Sequence, residues 1–341
     1  MEKILFLAHT EPDGTLAAAA LEVLGAAVSL CGELSAELNV GLVGENADKA
    51  AGGIGGCGAA RFLSVSGPEF STSRYASDLF ALDALCKACG AAIVLAPATS
   101  RFSRALPGLA MRLNGRADTH LTAVAVREGA PVITRWFYRQ RMWAEISRET
   151  RPWIMTLESG CFEPWSGEAT QVSVEQVSVE LPESARRTTV LEIQSPPADE
   201  RTIRPEASIL FVAGAGWTKK QPDGQEHVKE AGNLILGFVD KAQASLGSSK
   251  SLVDLSGEGQ EVLNFMTHLH QVGQTGATPR HKKGLSTCCH GEEPHVVGWR
   301  FITERRAVNL DAACGWAQGK ADVLYVADAF KVMAKVNELL G

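Results

Sequence analysis

Long apolar runs, long basic runs and an export signal are all missing from this 341-residue sequence. No window approaches the roughly 18 consecutive apolar residues of a membrane-spanning helix, so we expect no membrane insertion. The formal net charge is -6 and no long basic run occurs, so the basic face that nucleic-acid binding requires is lacking. The amino-terminal apolar run is too short for a signal peptide, so a cytoplasmic location is expected.

Familiar catalytic patterns are missing as well. The sequence has no Ser-His-Asp signature, no Walker loop and no full G-x-G-x-x-G fingerprint, which disfavours hydrolysis. Its eight cysteines are scattered and favour reduced thiols over a disulfide framework. Cys86 and Cys89 have C-x-x-C spacing without a second pair, which predicts packing in the core. Cys288, Cys289 and His290 permit a zinc site, although packing or a redox-sensitive thiol fits adjacent cysteines better.

Short apolar strands alternate with Ala- and Leu-rich helices in the first half of the chain. The predicted strands are 4–8, 38–43, 59–65 and 91–96, and the predicted helices are 14–30, 73–89 and 103–114. This alternation is typical of an α/β domain with a doubly wound parallel sheet. Four later strands, 121–127, 132–138, 142–146 and 153–157, are predicted to form an antiparallel ribbon appended to that sheet.

The length of the chain favours two domains, since single cores stop growing at about 250 to 300 residues. A stretch rich in Ser, Glu, Pro and Thr, from about 163 to 204, predicts the linker. The first domain is therefore expected over 1–190 and the second over 205–341. The second opens with a strand at 207–213, a glycine-containing turn and a helix at 226–246, which predicts another doubly wound, Rossmann-like α/β domain.

The most informative stretch runs from 271 to 295 and opens with the loop 271–276, whose sequence is Gln-Val-Gly-Gln-Thr-Gly. Its two glycines let a hydroxyl and several amides approach a planar ligand closely. His295 follows Thr275 by twenty positions, and Asn309, Asp322 and Asp328 come after it. Any of these residues alone has an ordinary structural explanation, so the ordered set carries the prediction of a cofactor site.

In type, order and spacing, these residues resemble the flavin-binding domain of the electron transfer flavoprotein alpha subunit. That family's pattern contains V-G-Q-T-G, then Q-H, then N-x-D, then A-D-Y-G-x-V-x-D-L-F. Its G-A-S-R-x-x-V-D segment is similar to 247–254, with Lys250 in place of arginine. The resemblance implies FAD as the cofactor. It implies that Thr275 offers its hydroxyl at flavin N5, that His295 lies by O2, and that the Lys250 ammonium lies near the ring.

The resemblance also implies which residues hold the rest of the cofactor, with Asp328 contacting the ribose. The complete set of implied cofactor-binding residues is Ser249, Lys250, Val272, Gly273, Gln274, Thr275, Gly276, His290, Gly291, His295, Asn309, Asp322 and Asp328.

Two motifs depart from the family pattern, and the resemblance implies that the second of them holds the diphosphate. The family's V-S-G-G-R-G is similar to 212–216, but its arginine is absent here. The family's G-x-S-G-A-x-Q-H aligns with 288–295, where only Gly291 and His295 match. Glu292 and Glu293 would repel a diphosphate unless they point outward, and Pro294 removes a backbone donor. The basic segment 280–283 is one source of compensating charge; a solvated or partner-facing loop is the alternative.

The resemblance implies an electron carrier without a substrate-transforming site of its own. Such a chain is the alpha subunit of a heterodimer with a beta subunit. It accepts electrons from a flavin-dependent dehydrogenase and passes them to a downstream acceptor. Two alternatives remain open: a stand-alone FAD- or NAD-dependent oxidoreductase, and a nucleotide-binding regulatory protein that has lost the flavin.

Overall fold

The computed structural model describes residues 2–138, 142–194, 203–204, 207–254, 261–272, 280–288, 299, 302–313 and 321–341. The chain divides into two compact units, Met1–Ile193 and Gln194–Gly341. Each unit is α/β with a mainly parallel sheet, which confirms the predicted fold class. Within the described ranges, no helix is long and apolar enough to cross a membrane.

Unit 1 is built on a nine-stranded sheet, counted over the described residues. Its strands are β1 Lys3–His9, β2 Glu37–Val43, β3 Arg61–Val65, β4 Ile93–Pro97, β5 Arg116–Arg127, β6 Ala130–Phe137, β7 Met142–Ile146, β8 Trp153–Leu157 and β9 Val174–Gln176. Its helices are α1 Ala18–Leu34, α2 Ala47–Gly53, α3 Pro68–Ser71, α4 Tyr75–Cys89 and α5 Ser100–Arg112. The strand order is β7-β6-β5-β8-β4-β1-β2-β3-β9.

Strand β8 corrects one prediction. The segment 153–157 was expected in the antiparallel ribbon, but β8 lies inside the sheet and pairs in parallel with both β4 and β5. All five of its residues are buried, since each face of the strand is covered, and such a strand shows no polar alternation. The antiparallel ribbon is real but shorter, and consists of β5, β6 and β7.

A buried carboxylate, Asp118 on β5, ties the ribbon to the centre of the sheet. Arg148, which follows β7, donates two hydrogen bonds to it, and the indole of Trp153 on β8 donates a third at 2.8 Å. Burial alone would raise the pKa of Asp118, but the hydrogen bonds from Arg148 and Trp153 outweigh it and hold the pKa below its usual value. The carboxylate is therefore charged and fully engaged.

The stretch from 163 to 193, expected as a linker, packs along unit 1. The Trp165 amide donates to the Leu21 carbonyl at 2.9 Å, and the Thr170 amide donates to the Gly52 carbonyl at 3.0 Å. Further on, β9 extends the sheet by pairing in parallel with β3.

Unit 2 contains a five-stranded sheet in which all neighbouring strands are parallel, again counted over the described residues. The strands are β10 Ile209–Ala213, β11 Ser245–Ser248, β12 Lys283–Thr287, β13 Glu304–Asn309 and β14 Val323–Val326, and the helices are α6 Val228–Lys241, α7 Lys250–Asp254 and α8 Ala329–Leu339. The order β11-β10-β12-β13-β14 is a doubly wound arrangement with a switch point between β10 and β12. In such sheets, ligands bind beyond the carboxyl ends of the strands.

The helix predicted over 226–246 is too long. Helix α6 ends at Lys241, and Gln243 then takes a left-handed backbone conformation with a φ of 49°. The four residues of β11 follow and are completely buried against β10. Leu246 fitted the helical pattern because it contributes to the same hydrophobic core as α6, although it does so from a strand.

Candidate functional site

A cavity of about 250 Å³ lies at the carboxyl edge of the sheet of unit 2. Its lining comes from the loop after β10 and from the ends of β12, β13 and β14, next to the switch point of the sheet. The side chains that matter for ligand chemistry are those of Lys219, Lys220, Cys288, Asn309 and Asp328. Two residues of the implied cofactor site, Asn309 and Asp328, therefore meet in one cavity.

Asn309 is the last residue of β13 and is almost completely buried. Its carboxamide oxygen accepts from the Asp311 amide at 3.4 Å, which fixes the turn that leaves the strand. A carboxamide offers both donors and an acceptor, so it suits a hydroxyl-bearing ligand.

Asp328 stands between β14 and α8 and serves as the amino-terminal cap of α8. Its Oδ1 accepts from the Phe330 amide at 2.9 Å. Each carboxylate oxygen has more than one acceptor site, so a cap that uses Oδ1 leaves Oδ2 for a ligand hydroxyl. The structural role and the predicted ribose contact are therefore compatible.

Cys288 follows β12 and has a left-handed backbone with a φ of 56°. It aligns with a glycine of the family pattern, and glycine is the residue that adopts this conformation without strain. Burial raises the pKa of the Cys288 thiol, and the nearby charge of Asp328 raises it further. A thiol held protonated in this way is a poor nucleophile and a poor metal ligand.

Ser249 and Val272 come together beside the end of β11. Ser248 and Gln271 form a parallel bridge, and the Val272 amide donates to the Ser248 carbonyl at 3.1 Å. A Cβ on Gly247 would lie 2.7 Å from a methyl of Val272, so glycine is required for this close approach. The segment that enters the predicted flavin loop is thus anchored at the same carboxyl edge as Ser249.

Lys250 opens α7 directly after Ser249, and its ammonium forms an ion pair with Asp254 one turn later. His268 also contacts Asp254, with its Nε2 2.9 Å from Oδ1. The hydrogen bond from Lys250 and that from His268 hold the pKa of Asp254 below its usual value. Lys250 therefore carries positive charge at the expected edge, but a carboxylate partly neutralises that charge.

Asp322 lies at the opposite edge of the sheet. It immediately precedes β14, and its carboxylate accepts from the Arg305 amide at 2.7 Å and from the Arg305 guanidinium at 2.8 Å. The cavity lies at the carboxyl ends of the strands, and Asp322 does not line it. The basic segment 280–283 also lies at an amino end, that of β12, and does not line the cavity.

The remaining members of the implied set lie outside the described residues. They are Gly273, Gln274, Thr275, Gly276, His290, Gly291 and His295, and their roles stay predictions. Among the residues that the structure does describe, no group of three or more His, Cys, Asp or Glu side chains is placed to hold a metal ion.

Lys219 and Lys220 were missed by sequence reasoning. They follow the turn after β10 by three and four positions and line the cavity. Two adjacent lysines near a turn are usually solvated, so only their position at the cavity distinguishes them. No periodicity or motif marks them in the sequence.

The comparisons with known proteins agree with this architecture. A family described as electron transfer flavoprotein domain matches residues 4–182, which is more than half of the chain. The chain belongs to the electron transfer flavoprotein family. Proteins named electron transfer flavoprotein subunit alpha resemble it over almost its whole length, so the similarity extends into unit 2.

Three such relatives illustrate the extent of that similarity. The protein of Thermoanaerobacterium thermosaccharolyticum is 26% identical over 342 residues, covering 98% of this chain and 97% of its own. That of Clostridium acetobutylicum is 26% identical and covers 96% and 92%. That of Mycobacterium leprae is 27% identical and covers 99% and 97%. Membership of the electron transfer flavoprotein family gives the chain an electron-transfer role and does not favour the two alternatives considered above.

Proposed function

We propose that this chain is the alpha subunit of a heterodimeric electron transfer flavoprotein, and that unit 2 binds one FAD. The observation that carries the proposal is the cavity at the carboxyl edge of the second sheet, where Asn309 and Asp328 meet. The residues of this cavity fit a nucleotide cofactor. They combine side chains that can bind ribose hydroxyls, positive charge and the amino terminus of α8. Bound FAD supplies reversible electron transfer, which amino-acid side chains of this site do not provide.

The residues of this chain would orient and tune that cofactor. Asp328 and Asn309 hold hydroxyls of the ribose or ribityl chain. Ser249 and Lys250 stand at the flavin ring, where a positive charge stabilises the reduced form. Thr275 and His295 contribute the donors at N5 and O2, as the family resemblance implies.

The partners follow from the same proposal. A beta subunit covers the flavin, a flavin-dependent dehydrogenase donates electrons, and a downstream acceptor receives them. The alpha-subunit names of the full-length relatives support the heterodimer. We expect the isolated chain to bind FAD poorly, because the beta subunit is needed to exclude water from the ring.

Co-expression with the beta subunit tests the proposal. The purified pair should show a flavin absorption band, and cofactor released by denaturation should be FAD at one equivalent per unit 2. The pair should also pass electrons from a dehydrogenase to a one-electron dye, whereas the chain alone should neither retain FAD nor support transfer. A colourless pair, or equal FAD retention by the isolated chain, would contradict the proposal.

A further inference from the structure

Lys219 and Lys220 bring positive charge to the cavity of unit 2. Both residues line the cavity, and both are exposed. Neither ammonium forms a hydrogen bond or ion pair with another residue in the described part of the chain. Asp328 is the one carboxylate in the described lining, so the two lysines leave the cavity with a positive balance.

The loop that carries the lysines is fixed to the sheet. The Gly214 amide donates to the Thr287 carbonyl at 2.8 Å, and the Gly216 amide donates to the Cys288 carbonyl at 3.0 Å. Trp217 is fully buried, and its indole donates to the Thr287 hydroxyl at 2.8 Å. The backbone before the lysines is therefore anchored to the end of β12, beside which Cys288 lines the cavity.

A second brace holds the lysine backbone itself. The carboxamide of Gln221 donates to the Gly216 carbonyl at 3.0 Å and to the Lys219 carbonyl at 2.6 Å. This bridge closes the loop on itself. A loop that is already ordered loses less conformational entropy when a ligand binds, so the lysines are prepared to meet an anion.

The chemistry of the cavity selects a nucleoside diphosphate group. An ammonium is an effective phosphate partner, and the amino terminus of α8 beside Ala329 adds further positive potential. Asp328 and Asn309 suit ribose hydroxyls. The volume of about 250 Å³ is below the range of about 300 to 1,000 Å³ that whole small-molecule ligands occupy. The cavity therefore fits one part of a larger cofactor.

We propose that Lys219 and Lys220 bind the diphosphate of the cofactor, whose ADP part occupies this cavity. The inference rests on the proposed flavin function and adds the two residues that supply positive charge to the diphosphate. The basic segment 280–283 lies at the other edge of the sheet, so the two lysines supply the charge that a diphosphate needs.

The test uses the full-length heterodimer after removal of its flavin. FAD is titrated by flavin fluorescence at low and high salt, and ADP is used as a competitor. Four proteins are compared: wild type, Lys219→Gln with Lys220→Gln, Lys219→Arg with Lys220→Arg, and the control Lys229→Gln. Lys229 is an exposed lysine on α6 that does not line the cavity. Thermal unfolding checks that every variant is folded.

We expect the double glutamine variant to bind FAD at least about tenfold more weakly than wild type. Its binding should also depend less on salt, because screened charge contacts have been removed. ADP should compete with FAD on the wild type and fail to compete on this variant. The double arginine variant and Lys229→Gln should both behave like wild type.

Unchanged FAD affinity and salt dependence in the double glutamine variant would overturn the inference while leaving the flavin function intact. Failure of the wild-type pair to bind any flavin would instead remove the proposed function, and this inference with it. The two failures are therefore distinguished by the wild-type titration alone.

Discussion

Asp328 has two roles in this account, and substitutions separate them. As the cap of α8 it accepts from the Phe330 amide at 2.9 Å, and as a wall of the cavity it faces the predicted ribose. Asparagine caps a helix about as well as aspartate, whereas alanine costs about 1 kcal/mol of stability. Asp328→Asn should therefore leave stability unchanged, and Asp328→Ala should lower the melting temperature by about 2 to 4 °C.

The effect on cofactor binding should differ. A hydrogen bond to a charged group contributes about 1.5 to 3 kcal/mol, against about 0.5 to 1.5 kcal/mol for a neutral one. Replacing the carboxylate of Asp328 by a carboxamide therefore loses about 1 to 1.5 kcal/mol, which weakens FAD binding by roughly five- to tenfold. The alanine variant should lose more than the asparagine variant.

The assay combines fluorescence titration of FAD into the apo heterodimer with thermal unfolding of the same protein. An asparagine variant that binds FAD as tightly as wild type would show that Asp328 is only a helix cap. An alanine variant with unchanged melting temperature would show that the cap contributes nothing.

Three other outcomes follow from the structure. Cys288→Gly should melt at a higher temperature than Cys288→Ala. Both variants lack the thiol, but only glycine relieves the strain of about 1 kcal/mol that the left-handed backbone at this position imposes. Equal melting temperatures would exclude that strain. Lys250→Ala should lower the one-electron quinone/semiquinone potential of the bound flavin by about 60 mV, whereas Lys250→Arg should not. This shift is at the lower end of the range for one charged contact, because Asp254 neutralises part of the charge. A redox titration without a shift would remove Lys250 from the site. Asp118→Asn should destabilise the protein by about 3 kcal/mol at pH 7. The pKa of Asp118 in the folded protein is depressed, so the stability that its charge contributes is complete above the ordinary pKa of 3.8 and is lost as the pH falls through the lower folded value. Denaturant curves of wild type and variant should therefore converge in acid. A difference in stability that does not depend on pH would contradict the assignment.

The alternation of buried strands and helices was enough to predict both α/β units, because apolar runs and helical periodicity are local properties. Two errors came from burial on both faces of a strand. Strand β8, with all five residues buried, looked like any apolar strand, and nothing local indicates its parallel partners. Strand β11 has only four residues, and its Leu246 continued the apolar pattern of α6.

The candidate site was predictable in residue type but not in position. Asn309 ends β13 and Asp328 comes two positions after β14, so both lie at the carboxyl edge of the sheet. Asp322 fits the same motif but precedes β14, which places it at the other edge with Arg305. Lys219 and Lys220 have no periodic or motif signal, and only the folded loop after β10 shows that they line the cavity.

A crystal structure of the FAD-loaded heterodimer tests most directly whether FAD binds at the carboxyl edge of the sheet of unit 2. We expect the adenosine ribose against Asp328, the diphosphate beside Lys219 and Lys220, and the flavin ring near Ser249 and Lys250. An FAD found at the amino ends of the strands of unit 2, or bound outside unit 2 altogether, would contradict this expectation.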